Sequence, residues 1–190
     1  MRRLLIGGAM AGVLLVGLWA ASAAPAPANF AGTWTLDKTK SKDLPQQWEN
    51  VESYNLTITQ DAQQLTVDTK VTRKENPDAQ GGGPGGGGPG GGRRGGGMMG
   101  PQKMTYKLDG SEATLDTGGR GSATAKAEWQ NGGKTLKLTT KRTFNFQGND
   151  VTSTTTEVWD LSGDGKTLTI QRTSESPRGT MNTTLVFNKA

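Results

Sequence analysis

The chain has 190 residues, with 29 Gly, 22 Lys and Arg against 17 Asp and Glu, and neither Cys nor His. Zero Cys excludes disulfide staples, lipid attachment at a signal-peptide Cys and thiolate chemistry, and zero His removes the commonest metal ligand and general base. The formal charge of +5 is mild and scattered; it aids solubility and singles out no acidic partner.

The first predicted element is an export signal. Arg2 and Arg3 precede an apolar run over 4–21, and Ala21-Ser22-Ala23 puts small residues around a cleavage point. The run is at the short limit for a membrane span, Gly7, Gly8, Gly12 and Gly17 dilute it, and Ala24-Pro25-Ala26-Pro27 follows at once. Cleavage after Ala23 fits better than a retained anchor, and Arg2-Arg3 stand too close to Met1 for twin-arginine export. The expectation is an exported protein, periplasmic or extracellular, with a signal peptide at 1–23, a single domain over 24–190 and no membrane span after cleavage.

Along the rest of the chain, polar and apolar residues alternate at period two, and Thr and Val abound, as in half-buried strands. A first strand is expected around Gly32-Thr33-Trp34. Residues 53–60 then put Tyr54, Leu56 and Ile58 on one face, and 64–74 align Leu65, Val67 and Val71. Further runs follow at 102–108 (Met104, Tyr106, Leu108), 135–146 (Leu136, Leu138, Phe144, Phe146) and 151–161 (Val151, Trp159, Leu161). The last two are 167–174 (Leu168, Ile170) and 180–188 (Met181, Leu185, Phe187). Compact turn signals separate the runs, among them Asp61-Ala62-Gln63, Asp109-Gly110, Asn131-Gly132-Gly133 and Gly163-Asp164-Gly165. One short helix is predicted over 43–48, with Asp43 as cap and Pro45 in its first turn.

About eight to ten antiparallel strands joined by tight hairpins favour an all-β, up-and-down barrel over an open sandwich, because closure hides the edges. An outer-membrane barrel does not fit: the outward faces are charged and Thr-rich and lack an apolar band.

Residues Asn29-Phe30-Ala31-Gly32-Thr33-Trp34 carry a resemblance. Gly32-Thr33-Trp34 on a first strand resembles the Gly-x-Trp signature of the lipocalin and fatty-acid-binding (calycin) barrels. The resemblance implies that Trp34 plugs one end of the barrel and that an Arg from a late strand, Arg172 or else Arg142, packs over it. The chain is also similar to small exported bacterial β-proteins that open with Phe-x-Gly-Thr-Trp and carry a late hairpin like Ser162-Gly163-Asp164-Gly165-Lys166-Thr167-Leu168. It lacks a C-terminal helix pattern and a Thr-Asp-Tyr-like motif, and its short segment after the first strand leans toward the fatty-acid-binding branch.

Four charges share the apolar phase: Arg73, Arg142, Glu157 and Arg172. An isolated buried charge is prohibitively costly, so each must pair, meet water in a cavity or reach the barrel mouth. Two readings stay open. In one, Arg142 and Arg172 receive a small hydrophobic or amphipathic anion through their planar donors, and Tyr54, Tyr106, Trp129 and Trp159 form an apolar wall. In the other, an Arg–Glu pair closes a filled barrel, and the protein is a structural or interaction module.

Fourteen of the 20 residues 81–100 are Gly, which reads as a flexible insertion over 79–101 interrupting a hairpin. Arg93-Arg94-Gly95-Gly96 without aromatics is a poor nucleic-acid segment, and Met98-Met99 without Cys or His is a poor metal site. Gly133-Lys134-Thr135 and Gly165-Lys166-Thr167 lack the P-loop Gly five positions earlier, residues 160–165 lack a calcium loop's acid ladder, and no Ser sits in a nucleophile elbow. A cofactor-free, metal-free, non-enzymatic protein is expected.

Overall fold

A computed structural model describes residues 26–74, 103–117, 121–146 and 148–190. The predicted signal peptide at 1–23 and the glycine-rich insertion at 79–101, with Met98-Met99, lie outside the described residues.

Ten antiparallel strands form one sheet: β1 (Gly32–Leu36), β2 (Val51–Gln60), β3 (Gln64–Arg73), β4 (Lys103–Lys107), β5 (Ala113–Leu115), β6 (Ser122–Gln130), β7 (Thr135–Phe146), β8 (Asn149–Leu161), β9 (Thr167–Ser176) and β10 (Gly179–Lys189). Their order, β4-β3-β2-β1-β10-β9-β8-β7-β6-β5, pairs the first strand with the last and nearly closes an up-and-down barrel. The remaining seam lies between the two ends of this order: among the described residues β4 approaches β5 and β6 but shares a ladder with neither.

Local chemistry sets the register. Asp61 Oδ1 accepts the backbone N–H groups of Gln63 and Gln64, each at 2.7 Å, closing the β2–β3 turn. At β8–β9, Asp164 Oδ1 accepts from Lys166 N–H at 3.0 Å and from Ser162 Oγ at 2.6 Å, while Gly165 takes φ +68°. Such side-chain acceptors imitate a backbone turn, and glycine adopts positive φ without a Cβ clash.

Periodicity of large apolar residues does not reveal β5 and β6. The inward residues of β6 are Ala123, Ala125 and Ala127, all buried, so its apolar stripe is real but made of the smallest side chains. The predicted helix is reduced to a single 3-10 turn, Gln46–Trp48. Asp43 does not cap it: Asp43 has φ +55°, and Pro45, in extended conformation, occupies the flanking position without a side-chain cap. Among the described residues no helix is long and apolar enough to cross a membrane.

The N-terminal segment plugs one end. Phe30, fully buried, stacks on Trp129 with centroids 6.1 Å apart and meets Trp159 edge-on at 5.7 Å. Trp34 Nε1 donates to the Phe30 carbonyl at 2.9 Å, and Gln60 bonds both the Phe30 N–H and the Ala28 carbonyl at 2.9 Å. Around this plug Leu136, Leu168, Leu185 and Phe187 are buried to the last atom. The C-terminal ends of β3, β5, β7 and β9 all lie at the opposite end.

Candidate functional site

The inward face changes character along the barrel axis. On β7 the inward residues run Leu136, Leu138, Thr140, Arg142, Phe144, and exposure climbs from 1% at Leu138 to 41% at Phe144. On β10 they run Phe187, Leu185, Thr183, Met181, and exposure climbs from 7% at Thr183 to 48% at Met181. On β8 the buried Trp159 gives way to Glu157, Thr155, Ser153 and Val151, all half-buried. Phase alone would bury these positions, so their exposure describes an interior filled at the plugged end and open to solvent at the other.

The boundary is an ion pair. Glu157 and Arg172 are directly opposed on β8 and β9, and Arg172 Nε donates to Glu157 Oε1 at 2.7 Å, with the side chains 21% (Arg172) and 13% (Glu157) exposed. Glu157 Oε2 accepts from Trp159 Nε1 at 2.8 Å, so both carboxylate oxygens are engaged. Burial works against the Arg172 charge, but Glu157 and the neighbouring Tyr54 outweigh it and hold the guanidinium above its ordinary pKa. Tyr54 is itself wedged between Trp48, stacked at 5.2 Å, and Phe187 at 5.8 Å.

Arg142 lies two inward positions nearer the open end, opposite Ser153 on β8 and Ala123 on β6. It is half-buried and has no carboxylate partner among the described residues. Burial pulls its guanidinium below the ordinary value, partly offset by Tyr106. Tyr106, buried on β4, crosses above the alanines of β6 so that its hydroxyl meets Thr140 Oγ1 at 3.2 Å. Burial first, then Glu157, push its phenol well above the usual range.

The residues singled out in the sequence thus separate into groups. Arg172, Glu157, Trp159 and Tyr54 meet in the boundary layer, and Arg142 and Tyr106 lie beside one another near it. Trp129 is elsewhere: it pairs with Leu136, six residues along β7 from Arg142, or roughly 20 Å at strand rise. Arg73 is exposed. The cation over Trp34 is neither Arg172, committed to Glu157, nor Arg142; it is Lys189 of β10, with Nζ 5.2 Å from the ring centroid. The hydroxyls of Ser153, Thr155 and Ser174 carry no apolar signal in the sequence, although Ser153 and Thr155 share the phase of Glu157 and Trp159.

A separate cleft of about 470 Å3 opens on the wall where β1 and β2 diverge, lined by Asp37, Lys38, Glu52, Ser53, Asn188 and Lys189 among others. Its charges are largely spent within the protein. Lys38 donates to the Trp48 and Val51 carbonyls, and Asp37 holds Thr39, Lys40 and Asn188.

Strand number, order and hairpin connectivity make the chain a ten-stranded, nearly closed up-and-down barrel, the kind of fold that the Gly32-Thr33-Trp34 resemblance implied. No protein-family model and no curated protein matches the sequence. Among solved structures the chain is similar to zebrafish ileal bile acid-binding protein complexed with cholic acid, with a TM-score of 0.44 and 12% identity, over 85% of this chain and 98% of that one.

Proposed function

We propose that the protein is an exported, non-enzymatic barrel that takes a small amphipathic anion into its open half, with Arg142 as the anchor. One observation carries this reading: of the two arginines that face the interior among the described residues, Arg172 is neutralised by Glu157, whereas Arg142 has no acidic partner there and is only half-buried. A guanidinium so held has unspent donors whose planar geometry matches a carboxylate, sulfate or phosphate. Tyr54, Tyr106 and Trp159 support the layer beneath, and Arg172 closes its floor instead of reaching for the ligand. Export is supported by Arg2-Arg3, the apolar run at 4–21 and the small residues up to Ala23.

Native mass spectrometry of protein purified from its own host tests this. A co-purified anion is expected on the wild type and absent from Arg142→Gln. A bare protein that also fails to bind small carboxylates would favour the filled interaction module, to which the dense packing around Phe30 and Trp34 lends support. In that case deletion of 81–100 would abolish partner association without lowering thermal stability.

A further inference from the structure

Resting on the reading of Arg142 above, we infer that the ligand is a compact hydroxylated carboxylate of the sugar-acid type, and not a long-chain fatty acid. Depth argues first. A long alkyl tail needs an empty apolar channel behind its headgroup, but the interior behind Arg142 holds the Arg172–Glu157 pair on the β8–β9 wall, with Tyr54 close to Arg172. Leu138, directly opposite Glu157, and the paired Ile170 and Leu185, one inward position nearer the plugged end, are already buried in the core. A tail threaded past would have to displace these packed side chains and set methylene groups against a partly buried ion pair.

The walls argue second. Arg142 is directly opposite Ser153, Ser153 lies two residues from Thr155 on the same face, and Thr155 is directly opposite Ser174. This makes a continuous patch, with neighbours about 5 Å apart across strands and roughly 7 Å along one, about the span of a single sugar ring. Ser153, Thr155 and Ser174 are half-buried, and none of their side chains has a hydrogen bond among the described residues. Half-buried hydroxyls of this kind are poor partners for methylene groups and good partners for ligand hydroxyls.

The test is titration calorimetry on the full chain, using glucuronate, galacturonate and gluconate as hydroxylated probes and octanoate and palmitate as apolar ones. At least one sugar acid is expected to bind about tenfold or more tightly than either fatty acid, since a site built for ligand hydroxyls discriminates against analogues that lack them. Arg142→Gln should abolish that binding. Ser153→Ala combined with Ser174→Ala should weaken it about tenfold while leaving the melting temperature unchanged, and Ser153→Ala alone should give a smaller loss with less risk to folding. Tighter binding of octanoate or palmitate, lost in Arg142→Gln, would overturn the sugar-acid assignment and leave the anion site standing. Sugar-acid binding indifferent to the serine substitutions would also overturn the assignment. If no probe binds, or binding ignores Arg142→Gln, the anion site itself falls.

Discussion

Lys189 lies across the indole of Trp34, and Gly32 is the residue that leaves it room: a Cβ at position 32 would stand 2.8 Å from Lys189 Cε. Gly32 also has φ +140°, a conformation that side chains with a Cβ rarely adopt. The Gly-x-Trp pattern thus serves a local geometry in which the first strand is turned so that a late-strand cation can cover the Trp that plugs the barrel. Gly32→Ala should destabilise by about 1–3 kcal/mol in urea unfolding. Part of that cost comes from displacing Lys189, whose side chain is flexible, so Gly32→Ala should cost less in a Lys189→Ala background. Equal costs in the two backgrounds would show that the Lys189 contact is energetically irrelevant.

The Glu157–Arg172 pair makes a second prediction. Removing one charge of a largely buried pair strands the other, whereas replacing both with apolar residues of similar size does not. Glu157→Gln should therefore cost about 3 kcal/mol of unfolding free energy, and Glu157→Leu with Arg172→Met should cost clearly less. Because Glu157 also holds the Trp159 N–H, the single substitution should shift Trp emission in the folded state. If the double variant proved the less stable, the pair would be a net source of stability and not a structural constraint.

Much of this architecture was legible in the sequence because alternation of large apolar residues reports burial directly. Leu56 and Ile58 on β2, and Leu168 and Ile170 on β9, face inward as their phase required. β6 escaped because alanine carries little apolar signal, although Ala123, Ala125 and Ala127 alternate as strictly as any. Phase also put Arg142, Glu157 and Arg172 on one face but was silent on pairing. Which arginine meets Glu157 depends on the stagger between strands, and that stagger places Arg172 opposite it and Arg142 opposite Ser153. The cation over Trp34 followed from neither phase nor resemblance, because it depends on how far β10 runs past Phe187.

Asp37 sets an acid limit on stability. Its carboxylate accepts from Thr39 Oγ1 at 2.6 Å and Asn188 Nδ2 at 3.1 Å and pairs with Lys40 at 3.2 Å, tying the turn after β1 to the end of β10. Thr39 first, then Asn188, hold its pKa well below the ordinary 3.8. A carboxylate with a depressed folded-state pKa contributes stability above its unfolded pKa and loses that contribution as pH falls through the folded one. Asp37→Asn should therefore lower the urea midpoint at neutral pH, and the gap to wild type should narrow as pH drops below about 4 toward 2. A gap independent of pH would mean that the hydrogen bonds, and not the charge, provide the stability.

Tyr106 sets the corresponding alkaline limit and tests how the seam is held. β4 has no ladder to β5, and the Tyr106 hydroxyl reaches Thr140 on β7 instead. Its phenol is pushed above the ordinary 10.0, chiefly by burial and then by Glu157, so the unfolded chain releases that proton first. Stability should be intact below pH 10 and decline as pH rises beyond it. With only two tyrosines in the chain, phenolate absorbance can follow this directly. The Tyr106 step should coincide with loss of the folded β signal, and Tyr106→Phe should remove that step and move alkaline unfolding to higher pH. At neutral pH the same variant should cost about 1 kcal/mol for the lost hydrogen bond and speed amide exchange along β4, because the seam is left without its cross-barrel clasp. Titration of Tyr106 in the ordinary range with the fold intact would instead mean that water already reaches the hydroxyl through an open seam.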